Sequence, residues 1–344
     1  MKVRQSNFEL LRILSMFLIV AHHYSVHGGW SYPVGLDIHK FYAQSLSFGG
    51  KLGVNLFVLI TGYFSYASRF KWGGVVNTLS KTWFYSISIV LIFYISSPSL
   101  ITMKDLIKGM LPFGYWFVTT YLVLLVMSPF INAFLSNLSK QKHFKFLVAF
   151  TLIAITPLLN SPIGNLSFFV YLYCLGAYIK EYLEDDVVSG KVLLFLVFGG
   201  FFLVLSSIAS LDFLAGFNEV FNHPLYFIGS SSPFIIMMSI GIFIWFKQMQ
   251  IGEVRFINIV SSAMFGVYLI HDNSLVRKFL WDSTFQNREH LNSDVYLHSV
   301  VAISSVFVVC VVIELLKNKA FDLLNVKSIQ VRISRWLDDK LPLI

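Results

Sequence analysis

Apolar runs of membrane-span length recur along the whole chain, separated by polar stretches and by positions rich in Gly, Pro and Asn. Such runs predict transmembrane helices, because about 20 apolar residues cross the hydrocarbon core of a bilayer. Some runs are shorter than that, so their predicted ends can move by several residues. About ten helices are predicted: Leu10–Tyr24, Gly53–Ala67, Thr82–Ile95, Tyr115–Leu135, Phe144–Leu159, Leu166–Lys180, Lys191–Leu211, Leu225–Phe246, Ile257–His271 and Val295–Leu316.

Composition places the chain in the same class. Its 344 residues are 56% hydrophobic and 13% charged, whereas about a quarter of a soluble domain is charged. The two cysteines, Cys174 and Cys310, lie inside apolar runs, so they give no redox information and form no metal motif. No small-x-small cleavage site follows the first apolar run, which is therefore expected to remain as a span. The predicted fold class is all-α, a polytopic membrane protein with no bound metal.

The distribution of positive charge predicts the orientation. Ten spans put both termini on the same side, and 19 of the 26 Lys and Arg residues fall on that side. Short cytoplasmic loops are enriched in Lys and Arg, so both termini are expected in the cytoplasm. This asymmetry also accounts for the net charge of +8 and leaves nucleic-acid binding without support.

The C-terminal tail differs from the rest of the chain. Residues 317–344 alternate charged and apolar positions, a pattern typical of an amphipathic helix on the inner membrane surface. A solvated tail is the alternative. No linker or internal repeat divides residues 1–316, so we expect one transmembrane domain, 1–316, followed by a cytoplasmic tail, 317–344.

The first helix carries the most unusual polar residues. An ionisable residue inside a membrane span is costly, so a span with several is a functional-site hypothesis. Arg12 and His23 are eleven positions apart, which places them within roughly 20° of one helix face and about 16 Å apart along the axis. His22 points away from that face. The face, here called the α1 stripe, carries Glu9, Arg12, Met16, Ile19 and His23.

Four stretches carry a resemblance to a known family. They are NFELLRILSMFLIVAHH at 7–23, GVNLFVLITGYFSYASR at 53–69, GYWFVTTYLVLLVMSP at 114–129 and SSAMFGVYLIHDN at 261–273. Together they resemble the membrane-bound acyltransferases of the acyltransferase-3 type, whose hallmark is Arg or Lys, ten residues, then His. Arg12 and His23 have that spacing. One departure is Thr61, where many relatives have Ser before the glycine.

The resemblance implies acyl transfer, usually of acetyl, from cytoplasmic acetyl-CoA or another acyl-CoA to a hydroxyl of a carbohydrate. The acceptor would be a lipid-linked or exported cell-envelope polysaccharide, and polysaccharide biosynthesis proteins would be partners in the plasma membrane. The chain has no appended extracellular esterase-like domain, so a stand-alone enzyme is expected. Succinyl and other short acyl groups stay open.

Arginine and lysine residues near the inner side are the candidate donor site. Arg12, Arg69 and Lys71 can hold the phosphates of acyl-CoA through charge-assisted contacts. Arg69 and Lys71 also satisfy the positive-inside rule without any ligand. Glu9 can orient Arg12, or can pair with it and do nothing else.

The histidines are the candidate catalytic groups. His23 can act as general base on the acceptor hydroxyl, because an imidazole titrates near neutral pH. A transient acyl-histidine is a second route, and a hydrogen bond between helices is the non-catalytic alternative. His271 is a candidate for positioning or proton transfer, with interfacial capping as the alternative. His22, off the α1 stripe, is expected to pack or orient.

Three further residues are candidates for binding the acceptor. Asn55 adds a polar group to the second helix, and Trp116 and Tyr121 offer aromatic surface for a sugar. The alternatives are that Asn55 only joins helices and that the aromatics belong to an interfacial belt.

Two other functional hypotheses are alternatives to acyl transfer. A transporter or flippase for a lipid-linked saccharide would line its path with the same stripe. Transporter folds usually show paired repeats or matching broken helices, and the sequence has neither. A structural partner in a polysaccharide machine is the third hypothesis.

Overall fold

A computed structural model describes residues 5–66, 68–96, 101–103, 106–107, 114–155, 164–184 and 187–343. Over these residues the fold is helical and contains no strand. The helices are α1 (Ser6–Val26), α2 (Ile38–Ser45), α3 (Phe48–Ser65), α4 (Gly73–Ser96), α5 (Trp116–Ser136), α6 (Lys140–Ile155), α7 (Asn165–Tyr182), α8 (Gly190–Ala215), α9 (Pro233–Gln248), α10 (Arg255–Ser261), α11 (Met264–His271), α12 (Ser274–Lys278), α13 (Val295–Leu323) and α14 (Val326–Lys340).

Every predicted helix has a counterpart, which confirms the all-helical class. Within the described residues, six helical segments are long and apolar enough to cross a membrane. They are α1, α2 and α3 taken together, α4, α5, α8 and α13. The count of ten spans and the cytoplasmic termini stay predictions.

The predicted start of the third helix was wrong. The sequence predicted Thr82, but α4 begins at Gly73. The hydroxyls of Thr78 and Ser80 donate to the carbonyls of Gly74 and Val76 within the helix, at 2.9 and 2.7 Å. Polar side chains that are satisfied by the carbonyl four residues back do not end a membrane helix.

Three other boundaries also differ. The helix expected from Leu225 begins at Pro233, because a proline fits the first turn of a helix better than its interior. The segment expected at 257–271 is split into α10 and α11, and α13 continues beyond Leu316 to Leu323. The predicted ends at Ala67 and Leu159 lie outside the described residues.

The chain forms two compact units. Unit 1 contains Met1–Phe57, Leu183–Met264 and Arg277–Val309, and unit 2 contains Val58–Tyr182, Phe265–Val276 and Cys310–Ile344.

In unit 1, glycines let α3 approach α1 closely. A Cβ on Gly53 would lie 2.5 Å from the carbonyl oxygen of Ser15, and one on Gly49 would lie 2.6 Å from that of Leu18. Small residues allow such backbone contact between membrane helices. At the other end of α1, Ser6 donates to the side chain of Asn258 at 3.1 Å, which joins α1 to α10. These contacts fix the helix that carries the stripe.

In unit 2, a glycine likewise allows close contact between α3 and α7. A Cβ on Gly62 would lie 2.3 Å from the carbonyl oxygen of Tyr173. The C-terminal helix α14 is held against the start of α4, where the backbone N–H of Trp72 donates to Asp338 at 2.8 Å. The indole N–H of Trp72 donates to the carbonyl of Leu341, also at 2.8 Å. Residues 326–340 of the tail form the helix α14. Its location on the inner membrane surface stays a prediction.

Candidate functional site

The α1 stripe is mostly buried within unit 1. Met16, Ile19 and His23 are 3%, 5% and 7% exposed. Their burial shows that this face of α1 packs inside the protein and does not face lipid. His23 is therefore a buried imidazole in the last turn of an apolar helix.

The polar start of the stripe is an ion pair. Arg12 Nη1 lies 2.6 Å from Glu9 Oε1, and the other carboxylate oxygen of Glu9 accepts a hydrogen bond from the Ser261 hydroxyl. The side chains of Arg12 and Glu9 are 29% and 13% exposed. Glu9 thus contacts Arg12 and α10 together, which restricts the direction of the guanidinium while leaving it accessible to solvent.

His22 and His23 have different surroundings. The Nδ1–H of His22 donates to the carbonyl oxygen of Ser47 at 2.5 Å, and its ring lies against Gly50. This contact holds the turn between α2 and α3 against α1. It agrees with the packing role expected for His22.

His27 is a neighbour of His23 that the sequence analysis missed. The two rings lie 5.2 Å apart between centroids, one helical turn from each other. Arg277 donates to Nε2 of His27 at 3.0 Å. Burial, with the positive charge of Arg277, lowers the pKa of His27 to about 4. The i, i+4 spacing of His23 and His27 was the available signal.

Asn55 is fully buried in unit 1. Its side-chain amide donates to the carbonyl oxygen of Ser230 at 2.9 Å. Its Oδ1 has no hydrogen-bond partner among the described residues. Ser230 lies in the turn before α9, so the first contact joins α3 to that turn and not to a neighbouring helix.

His271 ends α11 in unit 2 and is 0% exposed. Its Nδ1–H donates to the carbonyl oxygen of Val267, at 2.5 Å, one turn earlier in the same helix. Close by, the Tyr115 hydroxyl donates to the carbonyl of Leu269 at 2.7 Å and accepts from Asn273 at 3.0 Å. The imidazole is therefore held by its own helix.

The aromatic candidates also belong to unit 2. Trp116 is 45% exposed, and its ring packs against Phe117 and Phe169. Tyr121 stacks on Phe117 at 5.6 Å, and its hydroxyl lies 3.3 Å from the hydroxyl of Thr61. Trp116 presents an open ring, whereas Tyr121 is engaged within the protein.

Arg69 and Lys71 lie in the segment between α3 and α4 of unit 2, and both are exposed. The structure thus divides the predicted residues. Unit 1 brings together Glu9 and Arg12 on the stripe with His23, and also holds Asn55. Unit 2 holds the other five: Arg69, Lys71, Trp116, Tyr121 and His271.

Unit 2 also contains a buried charge cluster that the sequence analysis missed. Glu314 of α13 is 0% exposed and lies 2.8 Å from Lys317 and 3.1 Å from Lys81. The hydroxyl of Tyr85 donates to it at 2.5 Å, and Gly266 leaves room for its carboxylate. A single carboxylate in an apolar helix was the signal in the sequence.

Comparison with known proteins identifies the family. A family model described as an acyltransferase domain matches residues 5–315, nearly the whole chain. The chain therefore belongs to the acyltransferase-3 family, and its membrane-span helices suggest a membrane protein. No curated protein and no solved structure matched the chain.

Proposed function

We propose that this family member is a membrane-bound O-acyltransferase of the plasma membrane. It moves an acyl group, most simply acetyl, from cytoplasmic acyl-CoA to a hydroxyl of a cell-envelope polysaccharide or glycolipid. The observation that carries the proposal is the α1 stripe, where a directed guanidinium begins a buried face that ends in a buried imidazole. Proteins of polysaccharide biosynthesis would supply its acceptor.

The donor binds at the cytoplasmic side. Acyl-CoA is too polar to cross the bilayer, but its pantetheine arm is long and thin. Arg12, held by Glu9, contacts the phosphates of the donor, and charge-assisted hydrogen bonds are the stronger kind. Arg69 and Lys71 are exposed and add positive charge on the same predicted side.

The chemical step takes place at His23. Its imidazole accepts the proton of the acceptor hydroxyl while the oxygen attacks the thioester carbon. A carbon–oxygen bond forms, the carbon–sulfur bond breaks, and the proton passes to the departing CoA thiolate. The products are the ester and free CoA. Asn55, Trp116 and Tyr121 are assigned to the acceptor, and His271 to positioning or proton transfer.

Acyl transfer by the purified protein in lipid nanodiscs tests the proposal. The assay follows label from [14C]acetyl-CoA into a glycan fraction prepared from the source cells' envelope. Wild-type protein transfers label in an alkali-labile ester, and His23→Ala loses it. Transfer by His23→Ala at the wild-type rate would contradict the role of the stripe.

A further inference from the structure

The C-terminal helix α14 contacts the segment that carries Arg69 and Lys71. Residues 68–72, between α3 and α4, contain both of these donor candidates and are here called the donor segment. The donor segment and α14 belong to the same compact unit, unit 2. The helix begins at Val326, whereas the family model matches residues 5–315. A role of α14 is therefore a property of this chain and does not follow from the family.

Two hydrogen bonds join the end of the donor segment to the C-terminal region. The backbone N–H of Trp72 donates to Oδ1 of Asp338 at 2.8 Å, and its indole N–H donates to the carbonyl oxygen of Leu341 at 2.8 Å. A hydrogen bond to a carboxylate is stronger than one between neutral groups. The ring of Trp72 also packs edge-on against Phe70, in the middle of the segment. Trp72 is thus attached to both the donor segment and α14.

The packing of α14 determines where Asp338 lies. Val326, Gln330 and Ser334 are four residues apart and less exposed than their neighbours, so they form the packed face of the helix. A Cβ on Gly73 would lie 3.9 Å from Oγ of Ser334, which places this face against the first residue of α4. Asp338 follows Ser334 by one helical turn. Its carboxylate is therefore held at the start of α4, beside the donor segment.

The other end of the donor segment is held by α5. The side-chain amide of Asn132 donates to the carbonyl oxygen of Ser65, the last residue of α3, at 3.0 Å. The hydroxyl of Tyr173 donates to Oδ1 of Asn132 at 2.9 Å and fixes that amide. Between the two attachments, Arg69 and Lys71 are exposed. Ordering a binding segment in advance lowers the entropy that is lost when its ligand binds.

The charge of Asp338 allows its position and its electrostatic effect to be told apart. A carboxylate has the same sign as the phosphates of acyl-CoA, so on charge alone it opposes the donor. Any benefit of Asp338 to donor binding must then come from its contact with Trp72. Asp339 has the same charge, but it is exposed and lies about 100° further round the helix. It is the matched control.

From these contacts we infer that Asp338 is a positioning residue of the donor site. Through the N–H of Trp72, it fixes the direction in which the donor segment presents Arg69 and Lys71 to the phosphates of acyl-CoA. The inference rests on the proposed function in one respect, namely that Arg69 and Lys71 bind the donor. The helix α14 is thereby part of the donor site and acts through the segment that it holds.

Initial rates of acetyl transfer by the full-length protein in nanodiscs test the inference. Asp338→Ala is expected to raise KM for acetyl-CoA about 3- to 10-fold, the effect of one hydrogen bond, and to keep kcat within about twofold. Asp338→Asn retains an acceptor oxygen and is expected to keep KM within about twofold. Asp339→Ala removes the same charge and is expected to leave KM unchanged or slightly lower. A KM of Asp338→Ala at or below the wild-type value would overturn the inference.

Two further variants test the route through the donor segment. Trp72→Phe keeps a ring but loses the bond to Leu341, and it is expected to raise KM about 2- to 5-fold. When Arg69→Gln and Lys71→Gln are already present, adding Asp338→Ala is expected to change KM by less than twofold, because no cations are left to position. A further 3- to 10-fold rise in that background, or an unchanged KM in Trp72→Phe, would overturn the inference.

Calorimetric titration with free CoA separates the two proposals, since it measures the donor site without transfer. Asp338→Ala is expected to raise Kd for CoA about 3- to 10-fold, and His23→Ala is expected to bind CoA like the wild type. CoA binding that depends on Asp338, without acyl transfer by the wild type, would refute the proposed function and keep the positioning role. Acyl transfer that depends on His23, with KM and Kd unchanged in Asp338→Ala, would refute the positioning role alone.

Discussion

The buried pair of Lys40 and Asp212 leads to a quantitative prediction about stability. The two side chains are 2% and 0% exposed, with Nζ and Oδ1 2.7 Å apart. Removing one member of a buried pair leaves an uncompensated charge and costs about 3–5 kcal/mol. Lys40→Met is therefore expected to destabilise unit 1 by about that amount. Taking about 2 °C per kcal/mol for a chain of this length, Tm falls by about 6–10 °C.

Replacing both charges distinguishes this cause from simple loss of packing. Lys40→Met combined with Asp212→Leu removes the charges together, and such replacements are often close to neutral. The carbonyl of buried Gly35 still loses its donor, which costs about 1–2 kcal/mol. The double variant is therefore expected to recover most of the loss and to unfold about 2–4 °C below the wild type.

Thermal unfolding of nanodisc-embedded protein, followed by tryptophan fluorescence, measures these shifts. Lys278→Met, at an exposed lysine of the same unit, is the control and is expected to change Tm by less than about 1 °C. A Tm of Lys40→Met within that margin of the wild type would refute the reasoning. A double variant less stable than either single variant would also refute it, because the charges would then not be coupled.

Two further predictions concern Arg12 and His27. Arg12→Gln is expected to raise KM for acetyl-CoA roughly 10- to 100-fold, because it removes charged hydrogen bonds to the donor. Arg255→Gln, at an exposed arginine of unit 1, is the control and is expected to leave KM unchanged. Equal KM values for Arg12→Gln and the wild type would contradict a donor role for Arg12. Because the folded-state pKa of His27 is about 4, the unfolded chain binds a proton between pH 6.5 and 4 that the folded chain does not, so stability is lost as pH falls through that window. Between pH 7.5 and pH 5, Tm is expected to fall more in the wild type than in His27→Gln, and an equal fall would show that burial and Arg277 do not hold His27 neutral.

Much of the helical architecture could be predicted from the sequence, because apolar runs long enough to span a membrane usually form transmembrane helices. The burial of Met16, Ile19 and His23 could be predicted too, since a 3.6-residue period places them on one face. The first residues of the helices were harder to predict from the sequence. The hydroxyl of Thr78 is satisfied inside α4, and neither a hydropathy pattern nor a motif shows such a bond.

Contacts between distant segments were beyond prediction from the sequence. Lys40 and Asp212 are 172 positions apart, and no local spacing in the sequence relates them. Gln44 is a similar case, because no sequence pattern shows that its Oε1 is buried without a hydrogen-bond partner among the described residues. Glu314 could have been found, since a carboxylate in an apolar helix stands out, but its partners Lys81 and Tyr85 could not.

The most direct test of the central claim compares two neighbouring histidines. His23→Asn removes the imidazole at the end of the stripe, and His22→Asn removes the one that holds Ser47 while keeping an N–H donor. Loss of a general base costs about 10²- to 10⁴-fold in rate, so His23→Asn is expected to lower kcat for acetyl transfer by at least 10²-fold. His22→Asn is expected to keep kcat within about threefold of the wild type. Equal kcat values for the wild type and His23→Asn, with both proteins folded, would contradict catalysis at this imidazole.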